Sequence, residues 1–302
     1  MISEVAGKFW THPPPAVALP GGYVAAHRLA RPGDADLSQA IGSAQGINGT
    51  LESDAAELRE FQWVHGNGKN LRYSVGRIDP SFRYDFNAVA NSEREQFISL
   101  PLSNSSSIPF PDPGVAADMF WEPSAGINVH LGVYQANCEN NSLCVDNLSS
   151  GEWFAPLELI LKSDFKRLGS GHYRFLGYSK ESGGEHGSGF SLSFDQQFGR
   201  LTPFLRWSTG DRNVTEFTRL ASLGISFAQP FGRIHDEIGL GWSKATPSNP
   251  MLRDEQIIEL YWRFYVNPFM TFTPDLQFVI DPANNPREDR IAILGLRLQL
   301  DF

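Results

Sequence analysis

The feature that most constrains this chain is a strict two-residue alternation of apolar and polar side chains. It is clearest in "TFTPDLQFVID", residues 271–281. The apolar parity holds Phe272, Leu276, Phe278 and Ile280, and the polar parity holds Thr271, Thr273, Asp275, Gln277 and Asp281. Because a β-strand directs successive side chains to opposite faces, the segment is predicted to be a strand with one wet and one apolar face.

The same alternation recurs along most of the chain. It continues in "DEQIIELYWRFYV" (254–266) and "RIAILGLRLQLDF" (290–302), and no segment of comparable length has the period of a helix. The other predicted strands are 58–64, 71–79, 115–122, 127–134, 154–165, 171–179, 189–198, 202–209, 220–228 and 237–244. About thirteen or fourteen strands are therefore predicted, and the fold class is all-β.

The connections between these strands alternate in length. "DQQFGRLTP" (195–203) and "VNPFMTFTP" (266–274) leave room only for tight turns, whereas "KESGGEHGSG" (180–189) and "DPANNPREDR" (281–290) are longer and polar. Short turns at one end and long loops at the other are typical of a transmembrane antiparallel up-and-down β-barrel. A soluble β protein with an ordinary core is an alternative, because alternation alone does not distinguish lipid from protein.

The side chains of the two parities favour the barrel. Charged residues stand mid-strand on the polar parity, where a water-filled lumen would accept them and a packed interior would penalise each unpaired ion by several kcal/mol. These residues are Glu158, Lys162, Asp164, Arg174, Asp195, Arg206, Glu259, Arg263, Asp275 and Arg297. The apolar parity carries aromatic residues near strand ends, as expected for girdles at membrane interfaces: Trp63, Trp207, Trp242, Trp262 and Phe302.

Composition excludes several classes of protein. The formal charge of -9, without a Lys/Arg-rich block, argues against nucleic-acid binding. No apolar run approaches the roughly 18 residues that a membrane-spanning helix needs. Cys138 and Cys144 are predicted to form a disulfide in an oxidising compartment, with two free thiols as the alternative. No second Cys pair or paired His lies nearby to complete a metal site, and no cofactor is predicted.

Several motifs in order resemble the carbohydrate-selective porin (OprB) family of bacterial outer membranes. They are "VGRIDPSFRYDFNAVANSEREQF" (75–97), "IPFPDPG" (108–114), "SFDQQFG" (193–199) and the closing "FTPDLQFVID" with "LGLRLQLDF". The resemblance runs from about Gln45 to Phe302. It implies a monomeric barrel of 16 antiparallel strands in the outer membrane, through which mono- or oligosaccharides pass by facilitated diffusion.

Relative to that family the amino-terminal part is short. Residues 1–44 are Pro/Gly-rich without clean alternation and are expected to form an irregular segment, with the barrel over 45–302. The chain is thus expected to be an N-terminally shortened member, whose first segment must supply the missing strands, because an open edge in lipid leaves backbone groups unpaired. The final strand and Phe302 resemble the signal read by the outer-membrane assembly machinery, and the apolar face would contact outer-membrane lipids.

The longest stretch without strand character, at about 80–114, is the candidate for the selective part of a channel. It is rich in aromatic residues, so disorder is not expected, and the resemblance implies that it folds inward and narrows the lumen. Sugar hydroxyls need charged or amide partners, and sugar rings need a flat aromatic surface. The candidates are Arg72, Arg83, Asp85, Glu93, Arg94, Glu95, Trp121, Tyr134, Glu158, Lys162, Arg174, Tyr261 and Arg263. For any one of them, ion pairing between wall and loop is the competing role.

Catalytic motifs are weak by comparison. The chain has no G-x-S-x-G, H-E-x-x-H, P-loop or dinucleotide fingerprint, so it is predicted not to be an enzyme. His130, His172 and His186 are the residues that an outer-membrane barrel enzyme acting on lipid or polysaccharide would need, and this is the leading alternative function. Their spacing supports no catalytic triad.

Overall fold

A computed structural model describes residues 16–19, 22–29, 37–49, 57–66, 70–138, 149–165 and 169–300. The strands are β1 (Ala16–Leu19), β2 (Gly22–Leu29), β3 (Glu57–Gly66), β4 (Leu71–Ile78), β5 (Gly114–Ser124), β6 (Ile127–Gln135), β7 (Trp153–Phe165), β8 (Gly169–Ser182), β9 (Glu185–Gln196), β10 (Leu201–Gly210), β11 (Phe217–Ala228), β12 (Glu237–Pro247), β13 (Glu255–Asn267), β14 (Met270–Ile280) and β15 (Arg290–Leu300). The helices are α1 (Leu37–Ile41), α2 (Leu100–Ser103) and two single 3-10 turns, Pro80–Phe82 and Pro230–Gly232. None of the helices in these ranges is long and apolar enough to cross a membrane.

Each strand pairs with the next strand in the chain, always antiparallel, so that one up-and-down sheet runs in order from β1 to β15. Among the described residues no pairing joins β15 back to β1. The prediction of an all-β, up-and-down antiparallel fold is confirmed, and all thirteen predicted segments are strands. Strands β1 and β2 lie within residues 1–44, and β2 pairs with β3. The sequence required this segment to supply the missing strands but described it as irregular and did not locate β1 and β2, because alternation is weak there.

The alternation places polar side chains on the inward face of the sheet and apolar ones on its outward face. In β14, Asp275 and Gln277 are buried, whereas Phe272 and Phe278 are about two-fifths exposed. The outward face of the other strands carries Phe61, Trp63, Val75, Val133, Leu157, Phe175, Phe190, Leu205, Trp207, Leu223, Leu240 and Leu260, all exposed. A soluble protein buries such rows against a core, so an outward apolar surface of this extent favours a lipid environment.

The connections define two ends of the sheet. At the short-turn end, strands are joined by residues 125–126, 197–200 and 268–269, and at the long-loop end by residues 79–113 and 281–289 among others. The prediction of a long polar loop over 180–189 is wrong. Strands β8 and β9 extend through it, and only Gly183 and Gly184 connect them. Their φ angles of 60° and 79° suit a two-residue type I′ hairpin turn, which requires positive φ at both positions.

The sheet is curved around residues 79–113, which we call the inner loop. Side chains from β3, β10, β13 and β15 all contact this one loop, from Glu60 near one edge of the sheet to Arg297 near the other. A flat sheet of this many strands spaced by about 4.8 Å could not reach a single loop from both edges. The strands therefore form the wall of a rolled, barrel-like sheet, with the inner loop inside it.

Candidate functional site

The inner loop enters the lumen through a capped turn. Asp79, the last residue before the 3-10 turn, accepts hydrogen bonds from the Ser81 backbone N–H (2.9 Å) and hydroxyl (2.6 Å), and this turns the chain inward after β4. Arg83 then reaches back to the wall. Its guanidinium lies 2.8 Å from a Glu60 carboxylate oxygen on β3 and 3.7 Å from Asp118 on β5. Both carboxylates are almost fully buried, so the first anchor of the loop is a buried ion-pair cluster.

A second ion pair holds the loop against the opposite side of the wall. Arg206 of β10 places Nε 2.8 Å from Asp85 Oδ2, and its Nη2 donates to the carbonyls of Asp85 (2.9 Å) and Ala90 (3.0 Å). The Ser191 hydroxyl donates to the other Asp85 oxygen at 2.7 Å. Glu158 of β7 accepts from the Asp85 backbone N–H at 2.9 Å. One loop residue is thus fixed by three different strands.

These contacts correct one expectation about the wet face. Glu158, Arg206 and Glu259 were predicted to face water in the lumen, but the exposed fraction of each is 0%. The inner loop covers them. Charges at mid-strand positions on the inward parity are therefore satisfied here by a polypeptide segment inside the barrel rather than by solvent.

The second half of the inner loop is held by a carboxylate and by aromatic packing. Glu259 of β13 accepts from the backbone N–H groups of Ile98 (2.6 Å) and Ser99 (3.0 Å), and from the Ser99 hydroxyl. Phe97 is fully buried and meets Tyr261 edge-on, with ring centroids 4.9 Å apart. Loop and wall therefore share an apolar core next to a charge-assisted clamp.

Two arginines complete the contacts of the loop with the last strands. Arg297 of β15 donates to the backbone carbonyl of Glu93 and, at 2.9 Å, to that of Gln96. Arg263 of β13 lies 3.5 Å from the Glu95 carboxylate. The inner loop is thus bonded to strands on every side of the rolled sheet.

Residues 37–49 form a second inward segment that packs on the inner loop. The Gly49 backbone N–H donates to the Ile98 carbonyl at 2.8 Å. Glu255, at the start of β13, accepts from the Ser43 hydroxyl at 2.5 Å. This segment therefore narrows the long-loop end of the lumen together with the inner loop.

Twelve of the thirteen residues predicted to contact a sugar lie on the inner loop or on the inward face of the wall. They are Arg72, Arg83, Asp85, Glu93, Arg94, Glu95, Tyr134, Glu158, Lys162, Arg174, Tyr261 and Arg263. The prediction for Trp121 is wrong. Trp121 pairs with Leu71 and Val129 and is 44% exposed on the outward face, because Asp118 and Phe120 hold the inward parity of β5.

Ten of these twelve residues divide into two groups by exposure. The other two, Arg83 and Glu93, are partly exposed and bond to Glu60 and to Ser103. Asp85, Tyr134, Glu158 and Tyr261 are buried in contacts between the wall and the loop. The accessible members gather toward the short-turn end of the lumen and are Arg72, Arg94, Glu95, Lys162, Arg174 and Arg263. Among them, the Arg72 guanidinium lies 5.3 Å from the centroid of the inward-facing Phe120 ring, a pairing that fixes a cation beside a flat aromatic surface.

Sequence reasoning missed three carboxylates that carry much of the loop contact. Glu60 and Asp118 hold Arg83, and Glu255 holds the segment 37–49. All three lie on the inward parity of a correctly predicted strand. Strand parity alone would have identified them as inward, but not which distant residue each one binds.

Some predicted features fall partly outside the described residues. Cys138 is buried and disulfide-bonded, but Cys144 lies outside the described residues, so the pairing of the two stays a prediction. Phe302 also lies outside them. Its role as an assembly signal stays a prediction.

The three histidines considered for catalysis do not form one site. His130 of β6 is buried and stacks on Tyr84, with ring centroids 4.3 Å apart. His172 of β8 places Nδ1 2.8 Å from Oδ1 of Asp195 on β9. His186 is exposed at the long-loop end of β9. Within the described part of the chain, no group of three or more His, Cys, Asp and Glu side chains is arranged to hold a metal ion.

Comparison with known proteins gives three kinds of match. Residues 162–302 match the model of the family described as carbohydrate-selective porin, OprB family. Porin AaxA of Chlamydia abortus is 28% identical over 281 residues, which cover 87% of this chain and 61% of that protein. Porin AaxA of Chlamydia pneumoniae is 27% identical over 287 residues, with 88% and 64% covered. The chain thus spans about three-fifths of the length of these relatives.

The fold has close counterparts among solved structures. The structure of Pseudomonas putida OprB superposes with a TM-score of 0.78 over 93% of this chain and 83% of that one, at 17% identity. Pseudomonas aeruginosa OccK5 (OpdH) gives a TM-score of 0.55 at 12% identity, with 95% and 80% covered. At these identities the likeness establishes the fold. The family match includes the motifs at 193–199 and at the end of the chain, whereas those at 75–97 and 108–114 precede the matched residues.

Proposed function

We propose that this protein lets small saccharides diffuse passively across a membrane, because residues 162–302 match the model of the carbohydrate-selective porin, OprB family. The family match, the similarity to porins and the fold all support an outer-membrane porin located in the bacterial outer membrane. Which solute it passes is the subject of the proposal: a mono- or oligosaccharide, without a cofactor and without covalent chemistry.

The observation that carries the proposal is the fixation of the inner loop inside the lumen. Buried ion pairs and carboxylates that accept backbone N–H groups hold the loop to strands from β3 to β15. A segment held at so many points keeps one conformation, since moving it would leave several buried charges unpaired. We therefore expect the loop to leave a narrow passage of constant section, which can select solutes by size and polarity.

The accessible side chains at the short-turn end supply the chemistry that a sugar needs. Arg72 stands beside the Phe120 ring, and Lys162, Arg174 and Arg263 lie on the same inward face. Guanidinium and ammonium groups donate to hydroxyl oxygens, while the aromatic ring offers a flat surface to the C–H face of a pyranose. Few such contacts bind weakly, which suits transport because the solute must also leave.

Partners of the barrel follow from its two faces. We expect the outward apolar band to contact outer-membrane lipids, and β15 with Phe302 to be read by the barrel assembly machinery during insertion. No nucleic-acid partner is expected from an acidic chain, and the family resemblance favours a monomer.

The test is single-channel recording with the full refolded chain in a planar bilayer, with and without glucose or maltose. We expect stable openings that sugar partly blocks, and about fivefold weaker block in Arg72→Ala, for the loss of a contact worth about 1 kcal/mol. Arg83 is a poorer choice of variant, because its ion pair with Glu60 holds the loop.

The matched control is Arg287→Ala, which removes an exposed arginine from the connection between β14 and β15. It should leave the block unchanged. Openings that glucose and maltose never block, together with no sugar flux into liposomes, would contradict the proposal.

A further inference from the structure

A cavity of about 830 Å³ lies at the long-loop end, on the other side of the inner loop from Arg72 and Phe120. Its lining comes from the segment 37–49, Arg59 of β3, the inner loop, the end of β8, and the connection between β10 and β11 with the first residue of β11. Sites for small organic ligands have volumes of about 300 to 1,000 Å³, so a mono- or disaccharide fits. None of the residues predicted from sequence to contact a sugar lines this cavity.

The lining is rich in neutral hydrogen-bonding groups. Hydroxyl and amide side chains surround the space from several segments: Ser38, Ser81, Asn104, Ser106, Asn213 and Thr215. The charged lining residues include an internal pair, Arg59 and Asp79, whose side chains lie 2.8 Å apart. A lining of this kind suits a neutral ligand with many hydroxyls better than an ion, because each group can both donate and accept.

One polar side chain in the lining is buried and has a hydrogen-bond acceptor without a donor in the described part of the chain. Gln45 is 2% exposed, and its Nε2 donates to the Glu255 carbonyl at 2.9 Å. Its Oε1 has no hydrogen-bond partner among the described residues. A buried carbonyl oxygen without a donor is unfavourable, so a ligand hydroxyl in this cavity would satisfy it once the Gln45 side chain turns toward the ligand.

One aromatic side chain in the lining is held in place. Phe110 meets Phe154 edge-on at 5.7 Å, and its backbone N–H donates to the Ile108 carbonyl at 2.9 Å. Lys180 of β8 donates to the Pro109 carbonyl at 3.2 Å and so fixes the adjacent residue. A preorganised ring loses little entropy when a sugar stacks on it.

We infer that this cavity is a docking subsite for a neutral saccharide at the mouth of the channel, in which Gln45 Oε1 accepts a hydroxyl and Phe110 stacks against the sugar ring. The inference rests on the proposed function and extends it. A sugar arriving at the long-loop end would bind here first, and would then pass the inner loop to the charged face near Arg72.

The experiment measures maltose block of single channels, with maltose added to one side of the bilayer at a time. We expect the dissociation constant for block to rise about fivefold in Phe110→Ala and in Gln45→Met, for addition at the long-loop end. The matched control is Gln62→Met. Gln62 is also buried and its Oε1 also lacks a partner among the described residues, but it does not line the cavity.

If Phe110→Ala or Gln45→Met fails to insert into the bilayer, Asn213→Ala still tests the subsite, because Asn213 lies in an exposed connection. It should weaken the block from the same side. If Phe110→Ala, Gln45→Met and Asn213→Ala all insert with normal conductance and unchanged block, or if Gln62→Met weakens the block equally, the subsite is excluded while sugar transport stands. If maltose neither blocks nor permeates the unaltered protein, both the subsite and the proposed function fail.

Discussion

The two halves of the inner loop are attached to the same wall by different chemistry. The first half relies on side-chain ion pairs, Arg83 with Glu60 and Asp85 with Arg206, each at 2.8 Å. In the second half, the wall carboxylate Glu259 accepts backbone N–H groups of the loop instead. Both attachments are buried.

The difference determines how each half responds to a lost partner. In a buried ion pair, removal of one member leaves the other charge without compensation, which is strongly destabilising. In the carboxylate clamp, the loop groups that bond Glu259 are neutral N–H and O–H donors, so a substitution at Glu259 leaves unpaired donors on the loop but no charged loop residue without its partner. We therefore expect the first half to be the more sensitive to single substitutions.

The largest expected effect comes from Arg206→Met. The Asp85 carboxylate would keep only its serine partner, and the carbonyls of Asp85 and Ala90 would lose their donor. We expect a loss of about 3 to 5 kcal/mol in the free energy of unfolding, measured by urea titration of the refolded barrel, with increased noise in the open-channel current.

The control for Arg206→Met is the double variant Arg206→Met with Asp85→Leu. It removes both charges, so most of the lost stability should return. A single variant that costs less than about 1 kcal/mol would mean that the ion pair does not hold the first half of the loop.

A smaller effect is expected from Glu259→Gln in the second half. A glutamine offers one acceptor oxygen instead of two, so the N–H of Ile98 or of Ser99 loses its partner, at about 1 to 3 kcal/mol. Amide hydrogen exchange resolves where the change acts. Exchange at Ile98 and Ser99 should accelerate, while exchange at Asp85 should not.

The matched control is Glu185→Gln, at an exposed glutamate at the start of β9. It should leave hydrogen exchange at the Ile98 and Ser99 amides unchanged. Equal acceleration at Asp85 and Ser99 in Glu259→Gln would show that the loop opens as one unit. The division into two halves would then be wrong.

Most of the wall could be predicted from the sequence, because the two-residue period is a local property. Strands β3 to β15 were identified from alternation alone, and the inward parity of β13 correctly placed Glu259 and Tyr261 inside. Strands β1 and β2 were not, since "AVAL" and "GYVAAHRL" alternate poorly. The error at Trp121 arose because a large aromatic residue was judged by its chemistry rather than by the parity of its strand.

The partners of the inner loop could not be predicted. Asp85 and Arg206 lie 121 positions apart, and Ser99 and Glu259 lie 160 apart. A single sequence states that each charge faces inward, but the curvature of the whole sheet decides which charge meets which loop residue. The same limit hid the cavity, whose lining residues come from five separate segments.

The smallest change in stability is expected at Asp236, which lies outside the lumen and combines the two kinds of interaction, an ion pair and a hydrogen bond from the backbone. Asp236, in the connection between β11 and β12, accepts from Arg233 Nε (2.7 Å) and from the Tyr265 backbone N–H (3.1 Å), so it combines an ion pair with a backbone clamp. Burial alone would raise the pKa of Asp236, but the bonds from Arg233 and Tyr265 prevail and the pKa is lowered. Since the folded carboxyl binds its proton less readily than the unfolded one, the stabilisation is present above the unfolded pKa of about 4 and is lost as the pH falls below it.

We expect a contribution of about 1 kcal/mol or less, because Arg233 is largely exposed and such pairs are screened. Urea titrations give the free energy of unfolding at pH 6 and near pH 3. Between these two pH values, Asp236→Asn should lose less of this free energy than the unaltered protein does. Asp289→Asn, at an exposed carboxylate, should lose as much as the unaltered protein. An equal loss of unfolding free energy in all three proteins would mean that neither the ion pair nor the backbone hydrogen bond of Asp236 stabilises the fold once solvent reaches it.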